Sequence, residues 1–358
     1  RSETLTALPA PAPAAVMAVI LVAAGRLFFT AYPETFTAYP ETQAEYNFYK
    51  LDLQSKAHPR ESQIVVQGTS RLVLLNQVPL LPKRWHTRDR VTNISQPLNT
   101  FWHMNTLHRR NPGLLDDAEL WVIDVVPLQT RVALGFEEQD ALFLRESTLA
   151  ERFRVQGTAN RIRAIADWVL PLWSHHHAAA NWWHALHSIG ASPQDQLNTL
   201  LGLDENRLTD ITGGHAGIRL DPAALRNMFA FVAYPPQSQP SQVQLEAFRE
   251  LMARRPAEAH LLFIHFPFRD DFGKNITDLG GIASKERMRE FIEGEASDRI
   301  HPEWYEAPLD LKFVEEDFAP DGFHLTVSGM DKIERHIARR YREWLPPPTQ
   351  DDSLAPPQ

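Results

Sequence analysis

Residues 63–70 read QIVVQGTS, and this stretch combines the pattern of a buried strand with that of a sharp turn. Its centre of one isoleucine and two valines is β-branched and has no polar interruption, which is typical of strands buried on both faces of a parallel sheet. Gly68 permits a sharp turn after the strand, and Ser70 would then stand at the start of the following helix. Because functional groups of parallel α/β sheets gather at the carboxyl ends of strands, Ser70 is a candidate functional residue.

Three further segments have strand patterns, and amphipathic helix patterns lie between them. The strand patterns occupy residues 120–126 (LWVIDVV), 260–266 (HLLFIHF) and, more weakly, 90–94 (RVTNI). The helix patterns occupy residues 147–172, 242–254 and 328–344. Ser328 and Asp331 have the spacing of a capping pair at the start of the last helix. This alternation predicts a three-layer α/β/α sandwich around a central, mostly parallel sheet.

The composition fits a globular protein and excludes several chemistries. The chain has 358 residues, of which 43% are hydrophobic and 23% charged, with no cysteine and a net charge of -9. Without cysteine the chain has no disulfide, no cysteine-bound zinc or iron–sulfur cluster and no thiol nucleophile. The acidic balance argues against a general nucleic-acid binder, whose surface would be basic, so we expect no nucleic-acid partner.

The two ends of the chain differ in composition from its centre. Residues 13–32 approach the ~20 apolar residues that cross a bilayer, and Arg26 could extend its charge to the interface. We expect residues 1–32 to form a membrane anchor; a cleaved signal peptide and a buried soluble helix are the alternatives. The tandem repeat TAYPETF and TAYPETQ predicts an extended stalk over residues 33–60, and residues 346–358 have the composition of a disordered tail.

A second motif with catalytic potential lies far from Ser70, where residues 318–329 read FAPDGFHLTVSG. Asp321 and His324 are three residues apart, so one turn can set the carboxylate against one ring nitrogen and leave the other free. A serine nucleophile needs such a base and an acid that orients the base. Taken singly, each motif has a simpler explanation, because serine is a common helix N-cap and capping carboxylates and surface histidines are frequent.

Together the two motifs resemble those of the SGNH/GDSL hydrolase superfamily. In that family a Gly-x-Ser after the first strand supplies the nucleophile, and an Asp-x-x-His before the last helix supplies the other two triad members. The resemblance covers residues 61–345, with a helical insertion near residues 141–230. It implies that Ser70 is the nucleophile, His324 the general base and Asp321 its orienting acid. It implies a serine esterase or O-acyltransferase, for which we expect no cofactor and no metal.

The Gly-Thr-Ser-Arg form of the first motif and the apolar N-terminal segment look closest to envelope-associated members of that family. Those members act beside membrane acyltransferases in modifying cell-wall or exported polysaccharides. The resemblance therefore implies an ester substrate such as an acetylated carbohydrate and a membrane-bound acyltransferase as a partner. It also implies an inner-membrane anchor with the catalytic domain on the periplasmic side.

The oxyanion site of the family is incomplete in this sequence. The family usually has a glycine after the second strand and a Gly-x-Asn after the third, whereas this chain has NISQPLN at residues 93–99 and DVVPLQ at residues 124–129. Besides the backbone of Ser70, the candidate donors are Gly68, Asn93, Ser95, Asn99 and Asn105. Losing one such donor costs roughly 10²–10³ in rate. A catalytically weak relative that binds polysaccharide or a membrane acyltransferase is therefore the alternative.

Three other features receive non-catalytic interpretations. Arg71 could meet an anionic substrate group, but we expect it to pair with a loop carboxylate. The segment with His175, His184 and three tryptophans is interpreted as a partly exposed helix or an aromatic groove, since no acidic residue completes a metal site. The glycine-rich residues 212–217 follow no strand, which argues against a phosphate loop.

Overall fold

A computed structural model describes residues 12–31, 48–49, 51–52, 63–73, 91–131, 137–170, 221–236 and 240–344. The tandem repeat beyond residue 31, the histidine-rich and glycine-rich segments and the C-terminal tail lie outside the described residues. Their predicted structures therefore stay predictions. The chain divides into two compact units, one of Arg1–Tyr46 and Ala133–Ile211 and the other of Asn47–Val132 and Thr212–Gln358.

The second unit contains a five-stranded sheet. Its strands are β1 (Ile64–Gln67), β2 (Val91–Asn93), β3 (Leu120–Asp124), β4 (His260–His265) and β5 (Ile300–Trp304). Their order is β2-β1-β3-β4-β5, and all neighbouring pairs are parallel. The predicted α/β class with a parallel sheet is thereby confirmed. The chain runs from β1 to β2 and then returns past β1 to β3, so the carboxyl ends of β1 and β3 border the crevice where such sheets bind ligands.

The described helices alternate with these strands along much of the chain. In chain order they are α1 (Ala12–Ala31), α2 (Ser70–Val73), α3 (Phe101–Arg110), α4 (Glu137–Glu146), α5 (Leu149–Phe153), α6 (Thr158–Val169), α7 (Pro222–Ala233), α8 (Gln242–Arg254), α9 (Asp270–Asp278), α10 (Ile282–Glu293) and α11 (Val327–Trp344). Helix α8 spans the residues predicted for it.

Helices cover both faces of the sheet because consecutive strand residues point to opposite sides. On one face Ile64, Val122 and Ile264 belong to a core that includes Met330 and Ile333 of α11. On the other face Trp121 lies 5.2 Å from the His108 ring of α3, and Phe263 lies 5.8 Å from the Phe248 ring of α8, measured between ring centroids. The central strands therefore carry apolar residues toward both faces, as their sequences predict.

Strand β5 was not predicted from the sequence. Its residues IHPEW include Pro302, and four of the five are only half-buried. Proline has no N–H to donate to a sheet, so it is tolerated at an edge, and β5 pairs only with β4 in the described sheet. A polar, proline-containing edge strand has no apolar run by which the sequence could reveal it.

Two predicted helices differ from the structure in their boundaries. The single helix predicted over residues 147–172 is divided into α5 and α6, and Gly157 with a φ of 85° precedes α6. Helix α11 begins at Val327, where the Thr326 hydroxyl accepts a hydrogen bond from the N–H of Gly329 at 3.4 Å. Ser328 is therefore not the cap; its hydroxyl donates to Asp317 Oδ1 at 2.7 Å.

The unit that contains the sheet begins before the predicted boundary at residue 61. Phe48 and Tyr49 are helical and fully buried, and Asp52 accepts hydrogen bonds from Arg110 and Asn111 at the end of α3. These contacts attach residues 48–52 to the α/β unit, which starts at Asn47. The part of the predicted stalk that the structure describes is thus packed against the domain.

The first unit contains α1, α4, α5 and α6. Buried Arg152 and Asp167 form an ion pair of 2.8 Å between α5 and α6. Helix α1 exposes apolar side chains, including Val19 at 67%, whereas Arg26 lies 3.5 Å from the centre of the Trp168 ring of α6. Within the part of the chain that the structure describes, no helix has both the length and the hydropathy to cross a membrane.

Candidate active site

Ser70 stands at the carboxyl end of β1, where the chain turns into α2. Strand β1 ends at Gln67, and Ser70 is the first residue of α2. The turn requires glycine at position 68, because a Cβ there would lie 2.0 Å from Asp124 Oδ1 of β3. The parallel sheet and this glycine together bring the serine hydroxyl to the edge between β1 and β3.

The structure brings Ser70 together with the two residues of the distant motif. Ser70 Oγ lies 2.7 Å from His324 Nε2, and His324 Nδ1 lies 2.9 Å from Asp321 Oδ2. The other carboxylate oxygen, Asp321 Oδ1, accepts hydrogen bonds from the N–H groups of Phe323 at 2.8 Å and His324 at 2.9 Å. The three side chains thus form one continuous hydrogen-bonded series, with the geometry of a nucleophile, its base and the acid that orients the base.

The electrostatics of Asp321 suit this arrangement. Burial alone would raise the pKa of its carboxyl, but the hydrogen bond and charge of His324 and the two backbone N–H groups lower the pKa to about 2. Asp321 is therefore a carboxylate at neutral pH and accepts the proton on His324 Nδ1. This leaves Nε2 as the acceptor for the Ser70 hydroxyl, which is the tautomer that base catalysis needs.

The loop that bears Asp321 and His324 is fixed by its backbone. The N–H of Ala319 donates to the carbonyl of His324, and Gly322 has a φ of +71° that favours glycine. Arg269, which follows β4, donates from its backbone N–H to the carbonyl of Gly322 at 3.0 Å and from its guanidinium to the carbonyl of Pro320 at 3.1 Å. The loop is thereby joined to the carboxyl end of β4.

An apolar wall adjoins the triad. The Phe229 ring of α7 meets the His324 ring edge-on, with centroids 4.8 Å apart. Phe229 and Leu98 are partly buried against a cluster that contains Phe323 and Val126. Leu98 has a φ of 56°, a left-handed conformation that costs about 1–2 kcal/mol in a non-glycine residue. Such strain is often found beside functional sites.

The predicted oxyanion donors differ in their surroundings. Asn93 donates to the Leu72 carbonyl at 2.7 Å, and Asn99 donates to the Gly68 carbonyl at 3.0 Å. Asn105 lies in the contact of α3 with α8, where its amide donates to Glu250 and accepts from Arg254. The three amides therefore support the fold, and both polar atoms of Asn105 bond residues of α8. The role of Asn105 as an oxyanion donor stays a prediction.

Two other donor groups remain beside the turn. The Ser95 hydroxyl is buried and has no hydrogen-bond partner among the described residues. Around Ser70, the N–H of Thr69 donates to Asp124 Oδ1 and that of Arg71 donates to the Thr69 hydroxyl at 3.4 Å. Among the described residues no acceptor is assigned to the N–H of Ser70, which keeps that group free for an oxyanion.

Within the described residues, Arg71 does not form the ion pair with a loop carboxylate that is expected from the sequence. Its side chain is fully buried, and its guanidinium donates to the carbonyls of Phe266 at 3.2 Å and Pro267 at 2.7 Å. It also lies 4.7 Å from the centre of the Phe323 ring. Burial lowers the pKa of this guanidinium. Because its hydrogen-bond partners are backbone carbonyls after β4, Arg71 joins the nucleophile turn to the segment that follows β4, two strands away from β1. Among the described residues it forms no ion pair with a loop carboxylate.

The described residues contain no group of three histidine or acidic side chains arranged to hold a metal ion. The histidine-rich segment considered in the sequence lies outside these residues. Asp124, Arg269 and Phe229 were not identified as site residues from the sequence. A signal existed for Asp124 alone, because it is a charged residue at the end of the apolar run of β3.

Comparisons of the sequence with protein-family models and with curated proteins find no match. The function is therefore argued from the residues and their geometry.

Proposed function

We propose that this chain is a serine esterase or O-acyltransferase of the SGNH type, built on a flavodoxin-like strand order. The observation that supports this most strongly is the series Ser70–His324–Asp321, with contacts of 2.7 and 2.9 Å. The series lies at the carboxyl ends of β1 and β4, next to the crevice beside β3. Parallel sheets carry their active groups at this edge. A hydrogen-bonded serine, histidine and carboxylate act in acyl transfer on many unrelated folds.

In the proposed reaction, Ser70 Oγ attacks the carbonyl carbon of an ester while His324 Nε2 takes the hydroxyl proton. Asp321 stays ionised and stabilises the imidazolium that forms, and the N–H of Ser70 donates to the oxyanion. Collapse of the tetrahedral intermediate breaks the ester C–O bond, and His324 returns the proton to the departing alcohol. Water or a sugar hydroxyl then attacks the acyl carbon on Ser70 and gives its proton to His324 Nε2. The bond between the acyl carbon and Ser70 Oγ breaks, the acid or the new ester leaves, and His324 returns the proton to Oγ.

The proposed substrate is an ester, such as an acetyl ester, of a cell-envelope or exported polysaccharide. The apolar side chain of Phe229 beside His324 can contact the acyl group, because an uncharged acyl group loses little solvation on burial. Esterase and transferase share every step up to the acyl-enzyme and differ in which hydroxyl reaches it. A membrane-bound acyltransferase is the proposed partner and would supply or receive the acyl group.

The proposal includes attachment to the inner membrane through α1, with the α/β unit on the periplasmic side. The exposed apolar side chains of α1, such as Val16, Val19 and Ile20, support it. The test is sedimentation of membranes from cells that express the full chain or a chain without residues 1–32. The full chain should sediment with membranes and the shortened chain should remain in the supernatant; equal distribution of the two would contradict the attachment.

One observation favours a second candidate function, that of a weak catalyst that binds polysaccharide or the acyltransferase. The amides of Asn93, Asn99 and Asn105 each donate a hydrogen bond within the fold, which holds them toward structural partners. Among the described residues, the N–H of Ser70 and the buried Ser95 hydroxyl then remain as oxyanion donors, and a missing donor costs roughly 10²–10³ in rate. In that case the triad would react with strong acylating probes but turn over esters very slowly.

A fluorophosphonate probe, which reacts with activated serines, tests the proposed function. We expect the wild type to be labelled at Ser70 and Ser70→Ala to lose both labelling and hydrolysis of p-nitrophenyl acetate. Ser284→Ala is a matched control, because Ser284 lies buried in α10 and its hydroxyl donates to the carbonyl of Gly281, the residue before that helix. Labelling without turnover would favour the second candidate, and a folded wild type that is never labelled would refute the catalytic proposal.

A further inference from the structure

Asp124 is a fully buried carboxylate beside the nucleophile turn, and both of its oxygens contact one residue. The N–H of Thr69 donates to Oδ1 at 2.7 Å, and the Thr69 hydroxyl donates to Oδ2 at 2.6 Å. Thr69 immediately precedes Ser70, and it and Asp124 are no more than 2% exposed. The carboxylate at the end of β3 therefore holds the residue next to the nucleophile across the gap between two parallel strands.

The Asp124 carboxylate packs closely on the nucleophile turn, and the chain behind it is held by hydrogen bonds. A Cβ at Gly68 would lie 2.0 Å from Asp124 Oδ1, so the carboxylate packs directly on the turn backbone. Behind it, the Gln129 amide donates to the Asp124 carbonyl at 2.6 Å and accepts from the N–H of Val126 at 3.1 Å. These bonds fix the chain after β3, so the position of the carboxylate is determined by the strand and by the loop that follows.

Burying a charged group costs free energy that an uncharged side chain at this position would avoid. The charge of Asp124 therefore points to a functional role. Burial raises the pKa of the Asp124 carboxyl above its ordinary value, and the two Thr69 hydrogen bonds and the charge of Arg71 reduce that rise because they favour the ionised form. A carboxylate can only accept hydrogen bonds, so it forces the Thr69 hydroxyl to donate to it. The lone pairs of that hydroxyl then remain for the N–H of Arg71, at 3.4 Å.

This pattern determines which backbone donor stays free. Of the consecutive N–H groups at Thr69, Ser70 and Arg71, the first donates to Asp124 and the third donates to the Thr69 hydroxyl. The middle one, that of Ser70, is left for an oxyanion. An amide in place of the carboxylate could keep the bond from the N–H of Thr69 through its oxygen, but its NH₂ group would then face the Thr69 hydroxyl as a donor. The hydroxyl would lose its acceptor, and one of the lone pairs that it offers to the N–H of Arg71 would be occupied.

We propose that Asp124 is a positioning residue that acts through Thr69 to orient the Ser70 hydroxyl and N–H toward the reacting carbonyl. This inference rests on the proposed function. Asp124 does not touch the substrate; its effect is on the geometry of the turn. Because displacement of reacting groups by about 1 Å can cost about 10² in rate, Asp124→Asn should lower the second-order rate constant of fluorophosphonate labelling about 100-fold. It should lower kcat for p-nitrophenyl acetate similarly and leave KM within about twofold, since substrate binding is unaffected.

Two substitutions of Thr69 separate positioning from general stability. Thr69→Ser keeps both donors and should retain labelling within about threefold of the wild type, whereas Thr69→Val removes the hydroxyl and should resemble Asp124→Asn. The double variant Asp124→Asn, Thr69→Val should be no slower than the slower single variant, because both changes break one coupled unit. If the losses in labelling rate of the two single variants multiply in the double variant, the inference is overturned. It is also overturned if Thr69→Ser is labelled as slowly as Thr69→Val.

Asp52→Asn is the matched control for loss of a buried aspartate. Asp52 is 1% exposed and binds Arg110 and Asn111 at the end of α3. Thermal unfolding of each variant establishes that it is folded, and Asp52→Asn should lower stability without changing the labelling rate of folded protein. If the wild type is labelled and folded Asp124→Asn is labelled equally fast, the positioning role is refuted while the proposed function stands. If the folded wild type is not labelled, both are refuted.

Discussion

Replacing Asp321 by asparagine would test whether its carboxylate sets the tautomer of His324. In the wild type Asp321 Oδ1 accepts from the N–H groups of Phe323 and His324, and Oδ2 faces His324 Nδ1 at 2.9 Å. In Asp321→Asn the amide oxygen can keep both backbone bonds, and the NH₂ group then faces Nδ1 as a donor. Nδ1 must become the unprotonated nitrogen, so the proton moves to Nε2, the atom that should accept the proton of Ser70.

The loss of activity should far exceed the loss of stability. The same exchange in a serine protease lowers kcat by about 10⁴, and we expect a similar factor here. The pKa of Asp321 is lowered from 3.8 to about 2 in the folded protein, which corresponds to about 2 kcal/mol of folding free energy at 1.36 kcal/mol per unit. Since domains have about 5–15 kcal/mol of stability, the variant should remain folded at pH 7.

The stability difference has a defined pH dependence. Because the folded-state pKa of Asp321 is lowered, its ionisation stabilises the protein above the unfolded-state pKa, and this contribution is lost as the pH falls through the folded-state pKa. Urea unfolding should therefore show a difference of about 2 kcal/mol between wild type and Asp321→Asn at neutral pH. The difference should shrink between pH 4 and pH 2, as far as the wild type stays folded.

The assay is hydrolysis of p-nitrophenyl acetate at pH 7, normalised to folded protein. Asp310→Asn is the matched control, because Asp310 is an exposed aspartate that accepts from the backbone N–H groups of Glu306 and Ala307. This control should keep the wild-type kcat. If folded Asp321→Asn retains kcat within tenfold of the wild type, the assignment of the tautomer to Asp321 is refuted.

Three further substitutions have defined outcomes. Gly322→Ala places a side chain at a φ of +71° and 3.0 Å from Asp271 Oδ1; we expect a loss of at least about 1–2 kcal/mol in urea unfolding together with reduced labelling. Gly68→Ala puts a Cβ 2.0 Å from Asp124 and should slow labelling by at least about 100-fold; near wild-type labelling would contradict the close approach. Ile264→Ala empties a fully buried position in β4 and should cost about 2–5 kcal/mol without altering kcat of the folded protein.

The parts of the fold that are visible in the sequence are those whose pattern reflects burial. Strands β1, β3 and β4 are buried at every position and read as apolar runs, so their parallel arrangement could be predicted. Strand β5 is half-exposed and contains Pro302, so its pairing with β4 depends on tertiary contacts that no local pattern records. The break before α6 lies at Gly157, which has a positive φ. The amphipathic pattern continues through this residue, so the sequence does not show the break.

The candidate site divides in the same way. Ser70, Asp321 and His324 could be selected because each stands in a short motif. The two motifs were linked because together they resemble those of the SGNH/GDSL hydrolase superfamily. Asp124 could not be assigned a role because its contact with Thr69 joins residues 55 positions apart. From the sequence alone Arg71 was expected to pair with a loop carboxylate, because an acidic side chain is the obvious partner for an arginine whose surroundings are unknown. Its actual partners are main-chain carbonyls after β4, which composition cannot indicate.

The separation of the triad along the chain has a consequence for biosynthesis. Ser70 and His324 are 254 positions apart, and the loop with Asp321 and His324 directly precedes α11, whose apolar face completes one side of the core. A nascent chain therefore carries its serine long before it has the base that would activate it. If Ser70 is the nucleophile that we propose, its hydroxyl should stay unreactive until the last helix has docked. During refolding, the return of probe labelling should consequently report the docking of the C-terminal segment, later than the recovery of sheet structure measured by circular dichroism.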